Sequence, residues 1–477
     1  MDIKTRFSPS PTGFLHLGGL RTALFSWLFA QKYNGQFFLR IEDTDQQRFN
    51  KNSSLDIIES LSWLGLNWNK EPIYQSQRLQ KYQIEIQKLL KKKKAYKCYC
   101  SYERLELLRS NLLLLGKKPR YDGKCRKNKK KNFTENQSYV IRFKNPHTGT
   151  VTFTDKILGK IIIQNSELDD LIIQRTDGTP TYNFCAVVDD IDMKITHVIR
   201  GNDHLNNTPR QINLFHALKG NIPQFAHLSM ILNPKGQKLS KRYDMSSILE
   251  YRMKGYLPEA ILNYLFCLGM LNQKKEFYSL KEMKVFFSLK NINKSPSIIN
   301  KKKILWFNHY YLNTLNIEKI LIYIKKYLFI NKIQILKHFP LKDLIIHFMK
   351  RHYTIEDFIL SYNYFFLDFD IDFKKNIQTY CKKKYLKILL NLKKNILNLS
   401  FWSIENVSNV FKQLLLKFNL KFSKFAKLIR ISITGKTSTP SLTIISFLLG
   451  KKYFLKRISF VITYLENFFF KKKIDLI

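Results

Sequence analysis

Phe7 to Leu20 reads FSPSPTGFLHLGGL, and the reading of this stretch decides the fold. Ile3 and Phe7 are apolar while Lys4 and Arg6 are polar, so a short buried strand is expected to end at Phe7. Pro9, Pro11 and Gly13 then force a loop. Gly18 and Gly19 follow His16, and LRTALFSWLFAQKY, Leu20 to Tyr33, follows as a helical run. A strand, a tight loop and a glycine-opened helix suit a nucleotide. The unpaired N–H groups and the positive end of the helix dipole face an incoming phosphate, and glycine lets a flat base or phosphate reach the backbone. His16 adds a donor at the same mouth. On spacing alone the pattern fits equally a turn before a core helix.

Working outward, GQFFLRIEDTD, Gly35 to Asp45, reads as a buried strand with Glu42, Asp43 and Asp45 at its C-terminal end. Ligands bind at such strand ends in open α/β sheets. Ser54 to Trp68 has helical spacing and stops at Gly65. Residues 76 to 130 change character: a basic amphipathic helix, then Cys98 and Cys100, a leucine-rich helix over Leu105 to Leu115, and KPRYDGKCRKNKKKN. SYVIRF, TVTFTD and KIIIQN then alternate as strands. In the half that follows, LIIQR, FCAVVDD and ITHVIRG are expected as strands, the last ending in Arg200, with Pro209 to Leu218 a helix. His227 to Arg242 reads as a strand, a Pro-Gly turn and a basic loop. From about residue 250 onward the pattern is helical with lysine-rich faces, broken at Thr434 to Thr443.

The expected architecture is therefore multidomain α/β plus α. A Rossmann-type domain, residues 1–75 and 169–245, is interrupted by an α+β insertion, 76–168. Helical regions over 246–318 and 319–477 follow. A chain of 477 residues is too long for one core.

Lysine and arginine number 81 against 36 acids, a formal net charge of +45. Such a surface suits a polyanion. Lys, Ile, Asn, Phe and Tyr abound while Gly, Ala and Pro are scarce, a bias that AT-rich codons also produce, so the charge supports RNA binding only in part. No apolar run is long enough to span a bilayer, and MDIKTRFSPS has no signal-peptide core, so a cytoplasmic protein is expected. Six cysteines in this length make no disulfide framework. Cys185, in an expected strand, and Cys267 and Cys381, in helical stretches, read as core.

KLSKR, Lys238 to Arg242, places two lysines three residues apart in a loop. Such a loop can close on a triphosphate and neutralise the charge that develops as pyrophosphate leaves. In a lysine-rich chain a solvated basic turn is the competing reading.

These segments together resemble the class I aminoacyl-tRNA synthetases, and within them the bacterial-type glutamyl enzymes. Phe7 to Leu20 resembles the PSPTGxxHxGG signature and KLSKR resembles the KMSKS loop, with leucine for methionine and arginine in the last place. LSWLGLNW, DGTPTYNFCAVVDD, THVIRGNDH and ILWFNHYYL extend the likeness over residues 1 to about 315. The remainder matches by length, helical pattern and TGKTSTPSL.

The resemblance implies a two-step reaction without a protein nucleophile: glutamate and ATP give glutamyl adenylate, and the terminal adenosine of tRNA(Glu) takes the glutamyl group. Pro9, Thr12, His16, Gly18 and Gly19 would hold ATP with its Mg2+, and Lys238, Ser240 and Lys241 its phosphates. His16, Lys238 and Lys241 would act in catalysis. Glutamate carries two carboxylates and one ammonium, so it needs cations and an anion. Arg6 and Arg200 would take the carboxylates and Glu42 the ammonium, with Ser8, Ser10, Tyr182 and Asp203 lining the pocket. Asn202 stands where the family has a glutamate. The insertion would hold the acceptor end, residues 246–318 the stem, and 319–477 the anticodon. A monomer is expected.

Cys98, Cys100 and Cys125 resemble the zinc knuckle of some glutamyl enzymes, but Lys127 stands where that knuckle has histidine. Structural zinc takes four ligands. Either Tyr121 supplies the fourth, as in a related truncated family, or the three are buried thiols. Two rival functions remain: a non-catalytic tRNA-binding paralogue, and a transferase that glutamylates a modified tRNA base. Relatives of the second kind resemble only the N-terminal half. A glutaminyl enzyme fits less well, because those resemble a β-barrel C-terminal half.

Overall fold

The computed structural model describes residues 2–44, 50–127, 138–237, 247–335, 339–366, 377 and 382–474. They form two compact units, Met1–Arg252 with Tyr256–Asn308, and Met253–Gly255 with His309–Ile477. Asp45, Cys381 and the whole of Lys238 to Arg242 lie outside the described residues.

The first unit begins with β1 (Lys4–Phe7), α1 (Leu17–Lys32), β2 (Gln36–Ile41), α2 (Lys51–Trp63) and β3 (Ile73–Tyr74). The three strands pair in parallel in the order β1-β2-β3. Next come α3 (Leu79–Lys91), β4 (Ala95–Cys98), α4 (Tyr102–Leu114), α5 (Lys124–Lys127), β5 (Val140–Phe143), β6 (Thr150–Asp155), β7 (Gly159–Gln164) and β8 (Ile172–Gln174). Here β4-β5-β8 is an antiparallel sheet and β6-β7 an antiparallel hairpin. The chain returns through α6 (Tyr182–Asp192), β9 (His197–Gly201), α7 (Thr208–Leu218) and β10 (Gln224–Leu228), with β9 and β10 parallel.

Thr196 N–H donates to Lys4 O at 3.0 Å, which sets β9 beside β1 on the side away from β2. The parallel layer therefore reverses direction of winding at β1. The crevice beyond the C-terminal ends of β1 and β9 is the place where such sheets bind ligands. α1 packs below it, burying Leu20, Ala23, Leu24, Leu28 and Phe25.

One expected strand is a helix. FCAVVDD belongs to α6, and with it Cys185. Its β-branched residues invite a strand, but Phe184, Val187, Val188 and Ile191 recur at i, i+3, i+4 and i+7, one face of a helix. The leucine-rich α4 is also not what its composition promises: none of its residues is buried.

The second unit is mainly helical in its described residues, including Ile317–Ile330, Lys383–Leu397, Ile404–Lys417, Phe422–Thr434 and Leu442–Ile474, the last broken into two helices at Gly450. Lys383–Leu397 buries Ile388, Leu389, Leu392 and Ile396 on one stripe, as an amphipathic helix should. Phe422–Thr434 stops where Gly435 turns left-handed at φ 75°, which accounts for the break at Thr434. No helix among the described residues is long and apolar enough to cross a membrane.

Candidate active site

The crevice holds a cavity of about 280 Å³ lined by Arg6, Ser8, Glu42, Tyr182, Arg200 and His204 on one side. Pro9, Ser10, His16, Gly18, Gly19 and Asp203 also line it. Thr12 is exposed and does not line it. Chain segments nearly two hundred residues apart thus converge, because both β1 and β9 end there.

His16 is the N-cap of α1. Its Nδ1 accepts the N–H groups of Gly18 and Gly19 at 3.1 and 3.3 Å. This leaves the ring proton on Nε2, so His16 is a donor at the helix mouth, as expected, but through the far nitrogen. Those two N–H groups, read from the sequence as facing a phosphate, are taken by the cap. A side-chain carbon on Gly18 would lie 3.0 Å from Nδ1, which is why glycine follows the cap so closely.

Behind the cavity lies a buried charge cluster. Arg40 is fully buried and meets Asp190 Oδ1 at 2.6 Å, Glu42 Oε1 at 3.3 Å and Asp189 Oδ2 at 3.8 Å. Burial opposes its charge, but the three acids outweigh that and raise its pKa. Arg6 makes a two-point contact with Asp190, 3.2 and 3.4 Å. Asp189 accepts from Gln75, Arg78 and Tyr82, each at 2.8 Å. Burial pushes Glu42 up to about 7, against the pull of Arg40 and Arg6. Asp43 leaves the cavity altogether and accepts Ser76 N–H and O–H at 2.7 and 2.6 Å.

Arg200 differs from Arg6. It is buried, donates to His227 Nε2 and Thr208 Oγ1, and has no carboxylate within ion-pair distance among the described residues. Burial lowers its pKa, the signature of a cation short of an anion. Ser8 Oγ is buried without a hydrogen-bond partner at the same wall. Tyr182 Oη lies 3.1 Å from His204 Nδ1. Burial pushes that tyrosine up to about 12 and, with the charge of Arg200, His204 down to about 4, so both are neutral. A cavity lined by two buried guanidiniums with no carboxylate at ion-pair distance among the described residues (Arg200 and Arg21), one paired guanidinium (Arg6) and a buried carboxyl can hold a small zwitterion with an extra acid group.

Sequence reasoning missed Arg40, Asp189, Asp190 and His227. The first three stand as charges inside apolar runs, a signal in itself, since burying a charge is costly unless it is paired. It also missed Arg21, whose buried guanidinium lines the cavity and donates to Ser229 O. Burial lowers Arg21 to about 10.

In the insertion, the sulfurs of Cys98, Cys100 and Cys125 all lie within 4.8 Å of one another. Tyr121 Oη sits 3.4 Å from Cys98 Sγ and 3.6 Å from Cys100 Sγ, and accepts Cys125 N–H at 2.8 Å. The Arg142 guanidinium lies 4.0 Å over the Tyr121 ring. Burial pushes the Cys98 thiol up, but the Tyr121 hydroxyl, the Cys100 N–H and Arg142 outweigh it and hold it below its ordinary range. Burial pushes Cys100 up to about 11. Three thiols thus converge with a neutral phenol oxygen beside two of them, which supplies three of the four ligands that a structural zinc takes.

Fold and cavity define a nucleotide-binding type of parallel α/β fold with a charged crevice at its strand ends, and comparison with known proteins gives the family. Residues 2–306 match the family model for class I tRNA synthetases (E and Q), catalytic domain, and residues 319–462 match an anticodon binding domain. The chain is 52% identical over 469 residues to a glutamate--tRNA ligase of Buchnera aphidicola subsp. Cinara cedri, covering 98% of both chains. It is 46% identical to that of Buchnera aphidicola subsp. Acyrthosiphon pisum, covering 98% of this chain and 100% of the other. Among solved structures, a glutamate tRNA ligase from Elizabethkingia meningosepticum, in complex with its amino acid, is 31% identical with TM-score 0.77, covering 98% of this chain and all of that one. The chain belongs to the glutamyl and glutaminyl branch of the class I aminoacyl-tRNA synthetases.

Proposed function

We propose that this chain is a glutamate--tRNA ligase. It joins L-glutamate to ATP as glutamyl adenylate and then passes the glutamyl group to the 3′-terminal adenosine of tRNA(Glu). The observation that carries this reading is the cavity in which Arg200, buried and without a carboxylate partner, faces the site beside Glu42 and His16. Arg200 and Arg6 take the substrate carboxylates, and Glu42 takes the ammonium. Ser8, Ser10, Tyr182 and Asp203 complete the wall. His16, Pro9, Gly18 and Gly19 receive ATP, which brings its magnesium; Thr12, expected beside them, lies outside the cavity lining. Lys238, Ser240 and Lys241 receive the phosphates. No side chain is a nucleophile; the work is positioning and charge stabilisation.

Residues 76–168 are assigned to the acceptor end of the tRNA, 246–318 to its stem and 319–477 to the anticodon. The protein is taken to be a cytoplasmic monomer. The test is glutamylation of purified tRNA(Glu) and tRNA(Gln) with glutamate and ATP. Charging of tRNA(Glu) supports the reading, and the second tRNA reports discrimination. Binding without charging would replace it by the non-catalytic paralogue.

Glu42 makes the pocket sensitive to pH. Its pKa is raised to about 7, so below that value it carries a proton and offers no charge to the substrate ammonium. The KM for glutamate should therefore fall as pH rises from 6 to 8 and level off above. In Glu42→Gln it should be high and flat. Initial rates of pyrophosphate exchange across that range check this.

Cys98, Cys100, Cys125 and Tyr121 are the residues that would hold zinc, which would cross-link the insertion between β4 and α5. The purified protein should contain about one zinc, and Cys125→Ser should lose it and lower the melting temperature of the insertion. Elemental analysis decides the matter: a metal-free, fully stable wild type would leave four clustered groups that are only structural.

A further inference from the structure

Arg200 is held from behind. On the neighbouring strand His227 stands in register with it, and His227 Nε2 accepts Arg200 Nε–H at 3.1 Å. Thr208 Oγ1 accepts Arg200 Nη2–H at 2.8 Å and lies 3.1 Å from the same Nε2. On the other side of the ring, His227 Nδ1 lies 2.6 Å from Asp155 Oδ2, and both side chains are fully buried. Asp155 ends β6 in the insertion. Its Oδ1 also accepts the N–H groups of Ile157 and Leu158, each at 2.9 Å, so the carboxylate is fixed.

The hydrogen bonds define the tautomer. Arg200 can only donate, so Nε2 carries no proton. Asp155 accepts, so the proton is on Nδ1. Burial lowers the pKa of His227 and Arg200 adds to it, which keeps the ring neutral despite the carboxylate. A charged imidazole would place N–H against N–H and cation against cation.

We propose that Asp155 and His227 are positioning residues of the amino-acid pocket: by fixing the tautomer of His227, the β6 carboxylate sets the orientation in which Arg200 meets a substrate carboxylate. The inference rests on the assignment of Arg200 to that carboxylate. Neither residue lines the cavity, so any effect on substrate must pass through Arg200.

Asp155→Asn tests it. The amide oxygen can keep the backbone contacts with Ile157, Leu158 and His227, but the NH2 group meets Nδ1 and forces the ring proton onto Nε2, facing Arg200 Nε–H. The expected result is a rise of ~10-fold or more in KM for glutamate, with KM for ATP within about twofold and Tm near wild type; loss of one charge-assisted bond sets the scale. His227→Gln, whose amide oxygen can stand in for Nε2, should keep most of the glutamate affinity that His227→Phe loses. Pyrophosphate exchange with tRNA present, beside thermal melting, reads both. An unchanged KM for glutamate in Asp155→Asn overturns the inference, as does a parallel rise in both KM values with a lowered Tm, which marks a structural role only. Arg200→Ala is the reference. If it leaves KM for glutamate unchanged, the pocket reading itself fails. If it raises KM while Asp155→Asn does not, the pocket stands and only the relay falls.

Discussion

Replacing Arg40 by methionine should destabilise the first unit by about 3 kcal/mol, the lower end of the cost of stripping one partner from a buried ion cluster. The lower end applies because the acids are not all abandoned. Asp190 keeps both contacts with Arg6, and Asp189 keeps Gln75, Arg78 and Tyr82. Glu42 has no such reserve: Arg40 is its hydrogen-bonded cation, and burial has already pushed it up to about 7. Without Arg40 it would keep its proton to higher pH, and the ammonium site would be lost at neutral pH. Arg40→Met should therefore show a Tm lower by roughly 5 °C or more and a sharply raised KM for glutamate. Arg40→Lys keeps a charge but loses the planar fork and should fall between. Melting curves of the three proteins decide the point. A methionine variant as stable as wild type would mean that the cost of burying Arg40 cancels what its pairing returns.

Lys241→Ala should lower the rate of adenylate formation ~10²–10³-fold, the scale of removing one preorganised charge from a developing phosphate transition state. The loss should fall on kcat rather than on KM for ATP, because the charge in question grows only as pyrophosphate departs. Lys238→Ala should cost less, about tenfold. The described residues on the near side of this segment form a local turn, and those on the far side are tied to the cavity wall. Asn233 accepts the N–H groups of Lys235 and Gln237, each at 3.0 Å. Beyond the segment, Ile248 N–H donates to Leu15 O at 2.9 Å, and Ser247 O–H donates to Asp56, which also holds Leu15 N–H. The far flank thus runs to Leu15, the residue before His16, which lines the cavity. Single-turnover ATP consumption with glutamate and tRNA present measures the effect. A Lys241→Ala enzyme within threefold of wild type would remove the second signature from the chemistry.

Local chemistry made much of this legible. Prolines, glycines and a helix-forming run announced β1, the loop and α1 before any contact was known, because turn and helix preferences act over a few residues. Two arginines at strand ends pointed to a shared crevice, because β1 and β9 were each readable alone. The cysteine spacing named three of the four converging groups, and the resemblance offered the fourth, Tyr121. FCAVVDD was misread because its β-branched content outvoted its spacing, and with that the acids of α6 were lost from view.

What the sequence by itself determined is the order of strand, loop and helix, the two signatures and the chemical types at the strand ends. The tertiary structure alone decided which charge meets which. Arg6 finds Asp190 across 184 positions of chain, Arg40 finds it across 150, and His227 finds Asp155 across 72. Whether an arginine reads as spoken for or as open to a substrate depends on those distant partners. A buried charge is settled by what surrounds it in space, at a few ångströms, and residue order carries no term for that distance.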